Sequence, residues 1–259
     1  MNVAHAAPVL LTALSDFPLV RPGDDLAELV AAAVGHSGLL PADGDVLVIA
    51  QKVVSKAEGR IVELASVTPS ARAIAVAAAV QKDPRLVELI LSESRRIVRQ
   101  RPNVLIVEHR LGFVMANAGV DQSNVGPADG VERALLLPED PDRSAEALRA
   151  CLQRKFGVRI AVIINDSFGR AWRRGTVGVA LGAAGLPALL DKRGDPDLFG
   201  RTLQATMIGY ADEVAAAASM VQGQADEGLP VVLVRGLRWS APTLPASALI
   251  RPEAEDMFR

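Results

Sequence analysis

Four short apolar runs punctuate the chain, at residues 46–49, 104–107, 160–164 and 231–234, each rich in Val, Ile or Leu and closed by turn residues or charges. Runs of this length and β-branched content predict buried strands. Between them, apolar positions recur at helical spacing over residues 26–34, 70–80, 84–98, 144–156 and 212–221. Gly157 and Gly223 follow the last two, where a helix end favours glycine. The pattern predicts a mixed α/β chain and leaves strand order open. Pro242, Pro245 and Pro252 predict an extended arm over residues 240–259. Neither an internal repeat nor a low-complexity linker interrupts the sequence, so residues 1–259 read as a single unit with room for two interlocked subdomains.

Composition narrows the class. With 259 residues, the chain is long enough to bury about three-quarters of its unfolded surface. Half of it is hydrophobic but only 3% is aromatic, so the core must be made of Ala, Val, Leu and Ile. The 28 basic and 30 acidic side chains leave a formal charge of -2, which gives no electrostatic footprint for nucleic acid or an anionic membrane. A polyanionic ligand must therefore be held locally. The opening MNVAHAAPVLLTAL lacks the Lys or Arg of a secretory signal, and no apolar run reaches the roughly 18 residues of a membrane span. A cytoplasmic location is expected. Cys151 is the single cysteine and reads as a buried small hydrophobe, not a nucleophile. His5, His36 and His109 are scattered without metal-ligand spacing, which argues against zinc.

No Walker A sequence, GxGxxG or GxSxG is present, so the common phosphate loops and the hydrolase elbow drop out. The informative segments are polar, contain glycine and sit at the ends of apolar elements, where binding loops belong. QKVVSKAEGR (51–60) leaves the first strand carrying Lys52, Ser55 and Lys56; its lysines suit phosphate, the alternative being a solvated loop. NAGVDQSNVG (117–126) sets Asp121, Gln122, Ser123 and Asn124 between glycines. Its carboxylate and amide oxygens suit Mg or Mn, the alternative being an Asx-turn. INDSFGRAWRRG (164–175) places Asp166 and Ser167 at a strand end, ahead of Arg170, Trp172, Arg173 and Arg174. A carboxylate beside a hydroxyl can complete a metal site, and arginines can clamp phosphate or carboxylate oxygens. Surface charge is the alternative for the arginines, and Trp172 reads as core more readily than as a ligand platform. VQGQADEGLP (221–230) offers Gln224, Asp226 and Glu227 in a helix-to-strand turn that needs no function to explain it.

Taken in order, RPGDDL (21–26), QKVVSKAEGR, NAGVDQSNVG, NDSFGRAWRRG and GQADEGLPVVLVRG resemble the coenzyme F420-0:L-glutamate ligase family, also called F420 gamma-glutamyl ligase, from about residue 14 to 238. The resemblance implies an α+β fold of the F420 gamma-glutamyl ligase kind in an intertwined homodimer. It also implies a GTP-dependent ligase that joins L-glutamate to coenzyme F420-0 and then adds a second, gamma-linked glutamate. Two Mg2+ or Mn2+ ions and K+ come with it. Carried over by position, Asp121, Asp166, Ser167 and Gln224 match metal ligands. Phe17, Pro18, Leu19, Val20, Gln51, Lys56 and Asn124 match nucleotide contacts, as do Gln222, Gly223, Gln224, Ala225, Asp226, Glu227, Gly228 and Leu229. Many members have Thr where this chain has Ser167, which keeps the hydroxyl. Some bacterial members carry a fused nitroreductase-like domain, for which 259 residues leave no room. Chemistry, not the family pattern, makes Arg170, Arg173 and Arg174 candidates for substrate phosphate or glutamate carboxylates. Amide formation needs a leaving group, so an acyl phosphate is expected on the path. Two other readings are a ligase or phosphotransferase of the same fold acting on another carboxylic acid, and a nucleotide-binding regulatory protein without catalysis.

Overall fold

The computed structural model describes residues 8–127, 129–169 and 171–257. Its centre is a five-stranded sheet in the order β1-β12-β2-β8-β9. These strands are β1 (Leu10–Ala13), β2 (Val46–Ala50), β8 (Ala161–Gly169), β9 (Thr176–Ala184) and β12 (Val231–Arg235). Only β2 and β8 run parallel; every other neighbour in this sheet is antiparallel. A central strand buried on both faces can be apolar throughout, and all of Val46, Leu47, Val48 and Ile49 are buried. Leu47, Ile49, Val162 and Ile164 face α1 (Leu26–His36), α2 (Gln51–Ala57) and α5 (Pro141–Phe156). Val46, Val48, Ala161 and Ile163 face α6 (Tyr210–Gln222) and Ala246 of the C-terminal segment.

The crossover from β2 to β8 is interrupted after α2 by a second lobe. It holds β3 (Ile61–Glu63), α3 (Ala71–Val80), α4 (Pro84–Ser92), β4 (Ser94–Arg101), β5 (Val104–His109), β6 (Val114–Ala116) and β7 (Arg133–Leu135). Strands β4, β5 and β6 form one antiparallel sheet and β3 pairs with β7. The lobe has a core of its own around Ala77, Val80, Ile90, Leu105 and Val107. Phe113, Met115 and Leu137 of the lobe pack on Leu181 of the central sheet, which joins the two cores. A short pair, β10 (Leu190–Asp191) and β11 (Met207–Ile208), lies between β9 and α6.

Several sequence expectations need correction. The helix expected over 84–98 ends at Ser92, and residues 94–101 are strand β4. The break falls at buried Glu93, whose carboxylate meets Arg60 at 3.0 Å and Arg110 at 3.1 Å and so fixes the turn out of the helix. Residues 51–57 form helix α2 and not a loop. Residues 165–169 continue β8 instead of ending it, because β9 pairs with them from Asn165↔Ala180 to Gly169↔Thr176. Strand β9 (TVGVALGAA) escapes the apolar-run criterion because helices press on it. A Cβ on Gly178 would lie 2.4 Å from the Ala215 carbonyl oxygen, and one on Gly182 only 2.1 Å from that of Pro141. Residues 240–257 hold no strand or α-helix and are mostly exposed, with Ala246 fully buried and Leu244 exchanging backbone hydrogen bonds with Leu186 and Ala188. Trp172 is 83% exposed and not core, and Cys151 is only half-buried. Among the described residues, no helix is long and apolar enough to cross a membrane.

Candidate functional site

The sheet topology gathers the polar segments at one end. Strands β2 and β8 are parallel neighbours with Ala50 opposite Asn165, so α2 and Asp166 begin side by side. Strand β12 starts at that end, with Val231 opposite Ile49, which brings in the loop after α6. Strand β1 finishes there too, with Ala13 opposite Val232, which places Phe17, Pro18, Leu19 and Val20 at the same edge. Phe17 packs on the core and Val20 is buried, while Leu19 is 90% exposed. The second lobe returns to this edge through Asp121, which exchanges both backbone hydrogen bonds with Leu135 at 3.1 and 2.8 Å.

Helix α2 puts Lys52 and Lys56 one turn apart, on one face. Lys52 Nζ lies 2.6 Å from Asp121 Oδ2 and donates to Ser123 Oγ at 2.7 Å and to the Ser123 carbonyl at 3.2 Å. The Asx-turn offered as the alternative for Asp121 is present as well: Oδ1 accepts the Ser123 N–H at 2.8 Å. One oxygen thus shapes the loop while the other, which also accepts from Ser123 Oγ at 2.9 Å, faces the lysine. Burial on its own would raise the Asp121 carboxyl, but the Lys52 contact and the Ser123 N–H outweigh it and hold the group below the usual carboxylate range. Burial, then the charge of Lys52, pulls the Lys56 ammonium below its ordinary value. Gln51 is buried and donates to Ser55 Oγ at 3.0 Å.

Asp166 stands in a different field. Crowding by the protein pushes its carboxyl up to about 6, against the opposing pull of the Ser167 N–H and the charge of Lys52, and the Asp121 charge adds to the rise. Lys52, paired with Asp121, thus acts on Asp166 through its charge alone. The Ser167 backbone N–H reaches Asp166 Oδ1 at 2.8 Å. Asn165 and Gln222 form a buried amide pair at 2.8 and 3.2 Å, and Gln222 also donates to the Pro230 carbonyl at 3.2 Å. This pair ties α6 to β8 beneath the loop 223–229. Asn124, at a left-handed φ of 56°, donates to the Ala225 carbonyl at 3.1 Å, so the Asp121 loop touches the loop after α6 directly. In that loop Gln224, Ala225, Asp226, Glu227 and Gly228 are exposed, Gly223 and Leu229 are half-buried, and Glu227 accepts the Ala225 N–H at 2.8 Å. Arg173 and Arg174 are exposed on the hairpin past Gly169, and Arg170 lies outside the described residues. A surface hollow of about 330 Å³ between α1 and α5, lined by Cys151, Arg154 and Lys155 among others, is apart from this cluster.

The donors at this end are all oxygens, the chemistry of a hard cation. Among the described residues, no group of three or more His, Cys, Asp or Glu side chains that could hold a metal comes together. Asn165 enters the site without having been singled out from the sequence, and the direct contact of Lys52 with Asp121 and Ser123 was not expected from it. The spacing of Lys52 and Lys56 was a usable signal that the loop reading of 51–60 hid.

Residues 16–236 match the family described as F420-0:Gamma-glutamyl ligase. The chain belongs to that family. It is 47% identical to the coenzyme F420:L-glutamate ligase of Methanothermobacter thermautotrophicus over 97% of this chain and 99% of that one. Identity to the coenzyme F420:L-glutamate ligase of Methanopyrus kandleri is 50% over 93% of both chains. With that of Methanocaldococcus jannaschii it is 42%, over 94% of both. Every segment of the site falls inside the matched span, so this F420-0:gamma-glutamyl ligase family member carries the whole cluster within the family region.

Proposed function

We propose that this chain joins L-glutamate to coenzyme F420-0 using GTP, and then adds a second, gamma-linked glutamate. The observation that carries the reading is the convergence of Asp121, Asp166, Lys52 and Lys56 at one sheet end in a member of this family. Two carboxylates with two lysines suit a metal-bound triphosphate. A homodimer belongs to the same proposal, since Leu198 and Phe199, exposed by 98% and 96%, are apolar surface of the kind a second copy covers.

In the proposed reaction, an oxygen of the acceptor carboxylate attacks the γ-phosphorus of GTP and GDP leaves. The glutamate amine then attacks the acyl carbon, loses a proton, and phosphate departs with the acceptor's oxygen. Lys52 and Lys56 hold the phosphates and offset their charge, which is most of what a protein contributes to phosphoryl transfer. Asp121, Asp166, Ser167 and Gln224 would hold Mg2+ or Mn2+, which when bound neutralises charge on the transferred phosphoryl group. Asn124 and the loop 222–229 would border the nucleotide, with Phe17, Pro18, Leu19, Val20 and Gln51 on its other side, and K+ would assist phosphate binding. Arg173 and Arg174 would meet substrate anions. GDP release should require F420-0 and glutamate together in the presence of Mg2+ or Mn2+. GDP release with another acid but none with F420-0 would move the activity to a different acceptor, and no GDP with any acid would leave a nucleotide-binding protein.

A further inference from the structure

The hairpin between β8 and β9 carries a feature the metal site does not use. Strand β8 parts from β2 after Asn165 and runs on, paired to β9, as far as Gly169↔Thr176. Its root is fixed: Phe168 packs edge-on against Phe113 with ring centroids 5.9 Å apart and planes at 89°. Beyond that root the tip carries Trp172, Arg173 and Arg174, all exposed. An indole is usually among the most deeply buried groups of a protein, yet this one is 83% exposed and its backbone is left-handed, with φ 58°. Positive φ is uncommon for a bulky residue. A flat aromatic face beside two guanidinium groups matches a ligand that combines a fused aromatic ring with an anionic group.

Position supplies the rest. Three residue steps along β8 lead from Asp166 to Gly169, about 10 Å at the usual rise. A ligand whose carboxylate reacts at Asp121 and Asp166 would reach the tip with its far end. We propose that the β8–β9 tip is the recognition arm for the acceptor substrate, with Trp172 stacking on its aromatic ring and Arg173 and Arg174 meeting its anionic linker. This rests on the acceptor reading given above and assigns the end of the acceptor that does not react. It also makes the tip the element that separates an aromatic acceptor from other carboxylic acids.

The test compares wild type, Trp172→Ala, Trp172→Phe and the double variant Arg173→Ala/Arg174→Ala, with KM measured separately for F420-0 and for GTP, and F420-0 affinity by equilibrium dialysis without GTP. Loss of one ring stack should raise the F420-0 KM and dissociation constant roughly ten-fold in Trp172→Ala, leave the GTP KM unchanged, and be largely restored in Trp172→Phe. The double arginine variant should weaken F420-0 in the same way. An unchanged F420-0 KM in Trp172→Ala, with wild type active, overturns the arm and leaves the ligase reading intact. Equal loss for GTP and F420-0, or a changed sedimentation with an unchanged F420-0 KM, also overturns it, the last by making the tip a contact between copies. A wild-type protein that neither binds nor converts F420-0 removes the ligase reading and the arm together.

Discussion

Asp121 and Asp166 both feel the charge of Lys52 but are held in opposite states, one carboxyl below its ordinary range and the other pushed up to about 6. Because folding raises the pKa of Asp166 from 3.8 to about 6, the fold prefers its neutral form. Without divalent metal, the contribution of this one group to stability is therefore fully present below about pH 4 and is lost as the pH rises through about 6. Asp166→Asn should abolish the penalty. In chelator at pH 8 its melting temperature should exceed that of wild type by the equivalent of about 2 kcal/mol, and near pH 4 the two should coincide. A variant that melts at or below wild type at pH 8 contradicts this. The same variant, and Asp121→Asn, should lose at least about 100-fold in kcat, since each removes charge stabilisation from phosphoryl transfer. Lys56 is half-buried beside another lysine, an arrangement that an anion relieves. Lys56→Met should raise the GTP KM roughly ten-fold, the loss of one charge-assisted contact, and steady-state kinetics should show the glutamate KM unmoved. The carboxylates were legible from their glycine-flanked settings. Lys52 and Lys56 were legible as lysines suited to phosphate, but not their alignment on one helix face, because the polar run 51–60 disguises the helix, and the Asn165–Gln222 pair depends on α6 lying over β8.

Among the elements, the apolar strands β2, β5 and β12 declare themselves because burial on both faces forces continuous Val, Ile and Leu. Strand β9 does not, since the carbonyls of Pro141 and Ala215 leave room only for Gly182 and Gly178, and small residues carry little strand signal. With β9 hidden, the run 165–169 reads as a strand end, and the hairpin that presents Trp172 goes unseen. The prolines of the C-terminal segment predict an extended arm; its anchor is Asp142 in the first turn of α5, which accepts the N–H groups of Ala183, Ala246 and Ser247 at 2.9, 2.7 and 3.0 Å and pins the segment to the sheet. Asp142→Ala would strand those three donors and should cost about 3 kcal/mol, hydrogen bonds to a charged acceptor being the stronger ones. The readout is a lower urea midpoint with the slope preserved; a loss under about 1 kcal/mol would mean that water takes over the three N–H groups.

At the scale of the whole molecule, the site exists because segments far apart in sequence meet at one end of a sheet whose only parallel pair is β2 and β8. The second lobe is spliced into that parallel crossover, which lets Asp121 return to the edge where α2 begins. Order along the chain exposed the family, but neither the lobe nor the meeting of Asn124 with Ala225 can be read without the fold. The central claim is that this edge activates the acceptor carboxylate by phosphorylation before glutamate attacks. It is tested most directly with F420-0 carrying oxygen-18 in its carboxylate, incubated with GTP, glutamate and Mn2+, and mass analysis of the released phosphate. One labelled oxygen in the phosphate for each amide bond formed is the predicted result. Amide formation with unlabelled phosphate, or with release of pyrophosphate and GMP, would contradict it.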